Sequence, residues 1–322
     1  MKKFIAMLFV VCIVFSLCAC GSSGGSGESL TFATGGESGT YYAFGSVLAQ
    51  YVSNNTDLKV TAVVGNGSQA NIEDLDSGAV QLGFCQSDVM SYAYSGTNLF
   101  AESGAVGSFS VAAALYMEQV QIVTTNPDIK TVEDLKGKTV SIGALGSGVY
   151  FNAVDVLGVY GIDAEKDITP VYQSFGDSAE SLKDGKIDAA FIVAGAPTTA
   201  ITELSTAKDT YLVSLDDEHV DQLIAQSPYY EKCVISGGTY ENIPDDTTTV
   251  AVGAVIIARD DASEDDVYNV ISGIFDHVDE IAAVHAKGQE LNLEFAANVT
   301  SVPYHAGAAK YFNEKGITVP TK

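Results

Sequence analysis

The chain has 322 residues, with 41 Asp and Glu against 16 Lys and Arg and a formal net charge of −25 at pH 7. A balance this acidic argues against nucleic acid as a partner and against electrostatic docking on anionic lipid, because both need clustered positive charge. Its plain meaning is a solvated surface, and the length allows two domains.

Met1, Lys2 and Lys3 give a positive start, and Phe4 to Leu17 is apolar apart from Ser16. This stretch is shorter than the roughly 20 apolar residues of a membrane-spanning helix. With small residues at its exit, it reads as a signal peptide over 1–19. Leu17-Cys18-Ala19-Cys20-Gly21 resembles the lipobox of bacterial lipoproteins. That resemblance implies cleavage before Cys20 and acylation of its sulfur. Cys18 fits the acylated position less well, since bulky Leu17 would stand at the cleavage site; the alternative is an ordinary signal peptide with chance cysteines. Residues 20–29 carry the Gly/Ser run Gly21–Gly27, whose composition makes a flexible tether. Two or more acyl chains would hold such a protein on the bilayer through Cys20. The body contains only Cys85 and Cys233, distant single cysteines that read as buried free thiols or one disulfide.

From Leu30 onward, short β-rich runs alternate with helical stretches, the pattern of a parallel α/β sheet. Leu30–Thr34 is a strand, Tyr41–Ser53 a helix with Phe44, Val47, Leu48, Tyr51 and Val52 on one face. Lys59–Val64 and Gln81–Cys85 are strands, Ala70–Ser77 and Val89–Tyr94 helices, and Ser110–Leu115 and Gln119–Thr125 two consecutive strands. A second cycle follows, with strands at Thr139–Gly143, Ile168–Tyr172, Ala189–Val193 and Tyr211–Leu215. Its helices are Thr131–Leu135, Val149–Tyr160, Ser178–Lys183, Pro197–Leu204 and Glu218–Ala225. Val250–Ala258 is a long apolar strand, and the remainder turns helical at Ser263–His277, Val278–Ala286 and Ala306–Glu314. Two cycles with a returning strand predict two lobes: 30–116 plus 250–322, and 117–249.

Ser/Thr/Gly-rich loops fall between strand ends and helix starts at Gly35–Thr40, Gly65–Gln69, Gln86–Asp88 and Gly143–Gly148, with a shorter one at Ala194–Pro197. In open α/β sheets, ligands bind beyond the carboxyl ends of strands. Helix N-termini there favour anionic groups, glycine permits close backbone approach, and Ser or Thr adds a hydroxyl. Ser38, Thr40, Ser68, Ser87 and Ser147 could each instead be an N-cap and nothing more. Their joint placement in both halves carries the binding reading: Ser38, Gly39, Thr40, Tyr41, Ser68, Ser87, Ser147, Gly148 and Gly195 are the candidate contacts. Arg259, the only arginine, stands beside Asp260 and Asp261, so an arginine clamp on an anion is not expected.

Enzymatic chemistry finds no foothold. Gly143-Ala144-Leu145-Gly146-Ser147-Gly148 lacks the P-loop lysine, and Gly36-Glu37-Ser38-Gly39-Thr40 misses the nucleophile elbow because Thr40 replaces its last glycine. His219, His277, His285 and His305 form no metal or triad spacing. No cofactor or metal is expected.

At these same loops the sequence resembles a family, the TAXI-type solute receptors of tripartite ATP-independent periplasmic (TRAP) transporters. The resemblance lies in Thr34-Gly35-Gly36-Glu37-Ser38-Gly39-Thr40-Tyr41-Tyr42 with Gly45, in Gly67-Ser68-Gln69-Ala70-Asn71, in Ser87-Asp88 and in Leu115-Tyr116-Met117-Glu118. It continues in Asp134-Leu135-Lys136-Gly137-Lys138-Thr139-Val140-Ser141-Ile142-Gly143, in Gly146-Ser147-Gly148, and in Gly185-Lys186-Ile187-Asp188-Ala189 leading to Gly195-Ala196-Pro197. The ordered series covers nearly all of the chain after the tether; Met117 departs from it where proline is more usual. The resemblance implies the type II periplasmic-binding-protein fold, two α/β lobes on a two-strand hinge. It also implies capture of a small organic anion, of the dicarboxylate or acidic amino acid class, for delivery to a membrane permease outside the cytoplasm. A type II binding protein serving an ABC transporter is the alternative, with the same fold and the same clamshell.

Overall fold

The computed structural model describes residues 29–322. The expected leader, Cys20 and all but the last residue of the tether lie outside those residues. The first strand–helix cycle comprises β1 (Ser29–Ala33), α1 (Thr40–Asn55), β2 (Lys59–Val63), α2 (Ser68–Ser77), β3 (Leu82–Gln86) and α3 (Ser87–Ser95), and leads into β4 (Phe109–Thr124). The second comprises β5 (Thr139–Ser141), α4 (Val149–Val159), β6 (Thr169–Val171), α5 (Phe175–Lys183), β7 (Ala189–Ala194), α6 (Thr199–Ala207), β8 (Tyr211–Leu212), α7 (Asp217–Gln226) and β9 (Glu231–Ile235). The chain then returns through β10 (Thr247–Arg259) to α8 (Glu264–Phe275), α9 (Val278–Val284), α10 (Leu293–Ala296) and α11 (Ala306–Glu314).

Local chemistry accounts for these elements. Tyr41, Phe44, Leu48 and Val52 of α1 are buried at the three- and four-residue spacing that gives a helix one apolar face. Gly78 stops α2 in the left-handed region, at φ 83°, where its N–H reaches the carbonyls of Asp74 and Leu75. Ser263 caps α8 by accepting the Asp266 N–H at 3.0 Å, and three acids in its first turn suit the helix dipole.

The strands run in the order β2-β1-β3-β10-β4-β7-β5-β6, with β8 added to β4 and β9 to β10. Parallel β1, β2 and β3 form one end, and parallel β5, β6 and β7 the other. Antiparallel β4 and β10 run through both ends, paired from Phe109–Arg259 to Gln119–Ala251. The expected strands Ser110–Leu115 and Gln119–Thr125 are therefore one continuous strand. Met117 and Glu118, which look like a polar break, keep their ladder places opposite Gly253 and Val252.

The apolar core divides along these two strands. One cluster gathers Phe32, Phe44, Phe84, Tyr116, residues 254–258 and the C-terminal helices. In the other lobe, Val120, Ile122, Phe191 and Val193 face α4 and α7, while Val123, Ala190 and Ile192 face α5 and α6. That alternation is the period of a strand with helices on both faces. The result is a type II periplasmic-binding-protein fold, two α/β lobes joined by a pair of strands. Cys85 is buried in β3 and Cys233 half-buried in β9, both as free thiols.

Candidate ligand-binding site

A cavity of about 660 Å³ lies between the lobes. Its walls are the segments that follow β1 and β2, with Gln86 at the end of β3, on one side, and the segments that follow β5 and β6, with parts of β7 and α6, on the other. The lobes touch on both flanks of it. On one, the Ala70 N–H donates to the Gly146 carbonyl at 3.0 Å. On the other, the Ala200 N–H donates to the Ser38 carbonyl at 3.2 Å, and Thr40 Oγ1 donates to the Gly195 carbonyl at 3.0 Å. Gly39 lies against the Phe175 ring, so that a Cβ on it would be 3.3 Å from the ring edge.

Seven of the expected contacts line this space: Ser38, Gly39, Thr40, Tyr41, Ser68, Ser147 and Gly148. Ser87 and Gly195 stand outside the wall. The Ser87 hydroxyl turns to β10 and accepts the Gly253 N–H at 3.0 Å, tying α3 to the hinge. Gly195 presents its carbonyl to Thr40 and Thr198, and the Lys287 stem covers its other face.

None of the five hydroxyl residues caps a helix. The N-cap positions of α1, α2 and α4 are Gly39, Gly67 and Gly148, that of α3 is Gln86, and no side chain accepts from any of these four helix starts. Three of the hydroxyls work elsewhere: Ser68 Oγ accepts the Gln86 N–H at 3.0 Å, Thr40 Oγ1 donates to Gly195 and Ser87 Oγ accepts from Gly253. At α1 and α4 the first-turn amides that a cap would have occupied are left to the cleft, with the positive ends of the helix dipoles behind them, whereas at α2 the Gly146 carbonyl takes the Ala70 N–H. Buried acceptors add to this: Gln86 Oε1, Gln173 Oε1 and the Ser147 hydroxyl have no partner among the described residues. A buried polar atom without a partner is costly, and a polar ligand would remove the cost.

Glu118 brings an acid to the wall from the middle of β4. Tyr41 donates its hydroxyl to Glu118 Oε2 at 2.6 Å. Burial pushes the Glu118 carboxyl up to about 8, opposed by the Tyr41 hydrogen bond, so it is largely neutral at pH 7. Burial and the same carboxyl raise the Tyr41 hydroxyl well above its ordinary range. Glu37, Asp177, Glu180 and Glu203 are exposed at the rim, and Lys183 is the one cation among the described lining residues. Arg259 is remote from the cavity and pairs with Asp261, donating from Nε at 2.7 Å.

Behind the wall lies a polar cluster that joins the lobes. Gln86 Nε2 donates to Asn152 Oδ1 at 3.0 Å, and Asn152 Nδ2 donates to Asp88 Oδ2 at 2.8 Å. Burial pushes the Asp88 carboxyl up to about 7; the nearby Asp155 charge adds to the rise and the Asn152 hydrogen bond opposes it. Gln86, Glu118, Gln173, Phe175 and Asn152 were not singled out from the sequence. Only Gln86 carried a signal there, as the residue that ends a strand and opens a Ser-containing helix start.

Among the described residues no group of three His, Cys, Asp or Glu is placed to hold a metal ion. None of the histidines lines the cavity; His219, for example, stacks on Tyr160 and bonds Asp216 at 2.7 Å. No described helix is long and apolar enough to cross a membrane.

Among the solved structures that share this fold are two that cover most of the chain. The alkanesulfonate-binding protein SsuA from Xanthomonas axonopodis pv. citri, bound to MOPS, is 16% identical, with 89% of this chain and 90% of that chain covered and a TM-score of 0.51. A protein from Bordetella bronchiseptica RB50 is 14% identical, with 90% of this chain and 98% of that chain covered and a TM-score of 0.56. The sequence model of the NMT1-like family matches residues 32–316. The chain therefore belongs to the NMT1-like family.

Proposed function

We propose that this protein is the extracytoplasmic solute-binding component of a membrane transporter, and that it closes on a small organic anion without transforming it. The observation that carries this reading is the cavity itself: enclosed between two lobes and walled by the uncapped helix starts of α1, α2 and α4. Amides and hydroxyls of this kind suit a carboxylate or sulfonate without an arginine. The sulfonate-binding role named for the Xanthomonas relative supports the same class of ligand. Lobe I is 30–116 plus 250–322 and lobe II is 117–249, with the hinge where Met117 and Glu118 face Gly253 and Val252.

Two membrane partners fit this reading. The sequence model that matches is that of the NMT1-like family, not of a tripartite receptor family, which favours the ABC transporter. The motif series from Thr34 to Pro197 supports the ion-driven tripartite permease and the finer ligand class of dicarboxylates and acidic amino acids. Anchoring through acylated Cys20 belongs to either reading. The protein's melting temperature, followed with a panel of carboxylates, acidic amino acids and alkanesulfonates, tests the ligand class. A ligand at a hundredfold excess over its Kd adds about 2.7 kcal/mol. Hits confined to sugars, cations or nucleotides would overturn the anion reading.

A further inference from the structure

Asn152 of α4 is fully buried, and its whole carboxamide is engaged. Its Oδ1 accepts from Gln86, and its Nδ2 donates both to Asp88 and, at 2.8 Å, to the Tyr230 hydroxyl. Tyr230 in turn donates to Asp155 Oδ2 at 3.0 Å. Gln86 and Asp88 belong to the first lobe, at the junction of β3 and α3; Asn152, Asp155 and Tyr230 belong to the second. One second-lobe side chain thus holds two first-lobe side chains, and one of those, Gln86, forms part of the cavity wall.

Contacts made only when the lobes meet shift the molecule toward its closed state, and nothing else can. Tyr230 orients the second-lobe half of the cluster, so Asn152 meets Gln86 and Asp88 already positioned. We propose that Asn152 is a positioning residue for closure, a clasp that grips the Gln86–Asp88 turn across the cleft; the proposal rests on the ligand-binding reading of that cleft. Ligand held against Gln86 then bears directly on the group that bridges the lobes.

Hydrogen exchange on the full chain, without added ligand, tests this. The Ala70 and Ala200 amides bond across the cleft on its two flanks, neither through Asn152. In Asn152→Leu both should exchange roughly 10- to 100-fold faster, the loss of two buried hydrogen bonds. Amides of β7, inside the second lobe, should keep their wild-type rates; a merely structural role would speed them equally. Asp88→Leu repeats the test from the other lobe if Asn152→Leu fails to fold, and Asp88→Asn, which keeps an acceptor for Nδ2, should preserve protection. Wild-type exchange at Ala70 and Ala200 in a folded Asn152→Leu or Asp88→Leu, or equal acceleration in β7, would overturn the clasp. A melting-temperature panel without hits, alongside the expected exchange pattern, would instead remove the ligand reading and leave the clasp.

Discussion

Asp88 makes the stability of the closed molecule depend on pH, and Asp88→Asn isolates that dependence. The carboxyl is fully buried at the start of α3, where burial pushes it up to about 7. In the unfolded chain an aspartate titrates near 3.9. Between those values the folded protein holds a proton that the unfolded chain has released, so stability falls as pH rises. Below about pH 4 both states are protonated, and above about pH 8 both are ionised, so the loss is confined to that window. At 1.36 kcal/mol per unit, a rise of about three units removes on the order of 4 kcal/mol across it. Opening the cleft would hydrate the carboxylate, so the free energy of opening sets a ceiling on the loss. Asparagine keeps an oxygen for Asn152 Nδ2, places an amide nitrogen where Asp88 Oδ1 has no partner, and does not titrate. Urea unfolding of wild type and Asp88→Asn at pH 4.5 and pH 8 should show the variant gaining up to about 4 kcal/mol relative to wild type. Glu118, pushed up to about 8 by burial, also feels the Asp88 charge, so its own titration changes in the variant and adds to the difference with the same sign. A difference that stays flat, or that moves in favour of wild type as pH rises, would refute the reasoning.

Two further outcomes follow from residues around the cleft and at the amino terminus. Gly148 has an ordinary φ of −70°, but a Cβ there would run into the Gln86 carboxamide and come within 2.8 Å of Ser68 Oγ. Overpacking of this kind costs about 1–3 kcal/mol, which the lobes can relieve by parting, so Gly148→Ala should weaken a panel hit about tenfold or more by calorimetry. Gly158→Ala, exposed on the same helix with open space around it, should instead stabilise by about 0.5–1 kcal/mol in urea unfolding; equal behaviour of the two variants would count against the close approach at Gly148. Cys20→Ala should move the protein from the membrane fraction to the soluble one or block its processing, and a freely soluble wild type would remove the anchor.

The lobes and the loops were legible because both are written locally. Strand runs followed by Gly and Ser, then by helical periodicity, place a loop at the carboxyl end of a strand whatever the rest of the chain does. The remaining wall was not legible, because it depends on pairings across the fold. Glu118 sits inside a strand whose register opposite Val252 puts its carboxyl beside Tyr41, 77 residues earlier. Asn152 reads as one more residue of an apolar helix until the fold sets it 64 residues from Asp88 and 78 from Tyr230. Ser87 shows the converse. Its motif looks like those of Ser68 and Ser147, yet the neighbouring β10 offers the Gly253 N–H and takes the hydroxyl out of the cavity wall.

Helix starts sort this molecule into two kinds of surface. At α5, α7 and α8 the N-cap is Ser174, Asp216 or Ser263, each accepting from its own first turn, and α5 keeps its cap although its start lines the cavity. At α1, α2 and α4 the N-cap is glycine, and the neighbouring Thr40, Ser68 and Ser147 leave the first turn uncapped. A cap takes one of the free N–H groups of the first turn, so a helix that keeps its cap has fewer of them to offer an anion at that end. Omitting the cap costs about 1 kcal/mol in a typical helix. At α2 the Gly146 carbonyl takes the Ala70 N–H, and at α1 and α4 a ligand in the cavity would supply the missing acceptors. The distinction lies in a single position per helix: Ser or Asp immediately before the first turn accepts from it, and glycine there leaves the first turn without a side-chain cap.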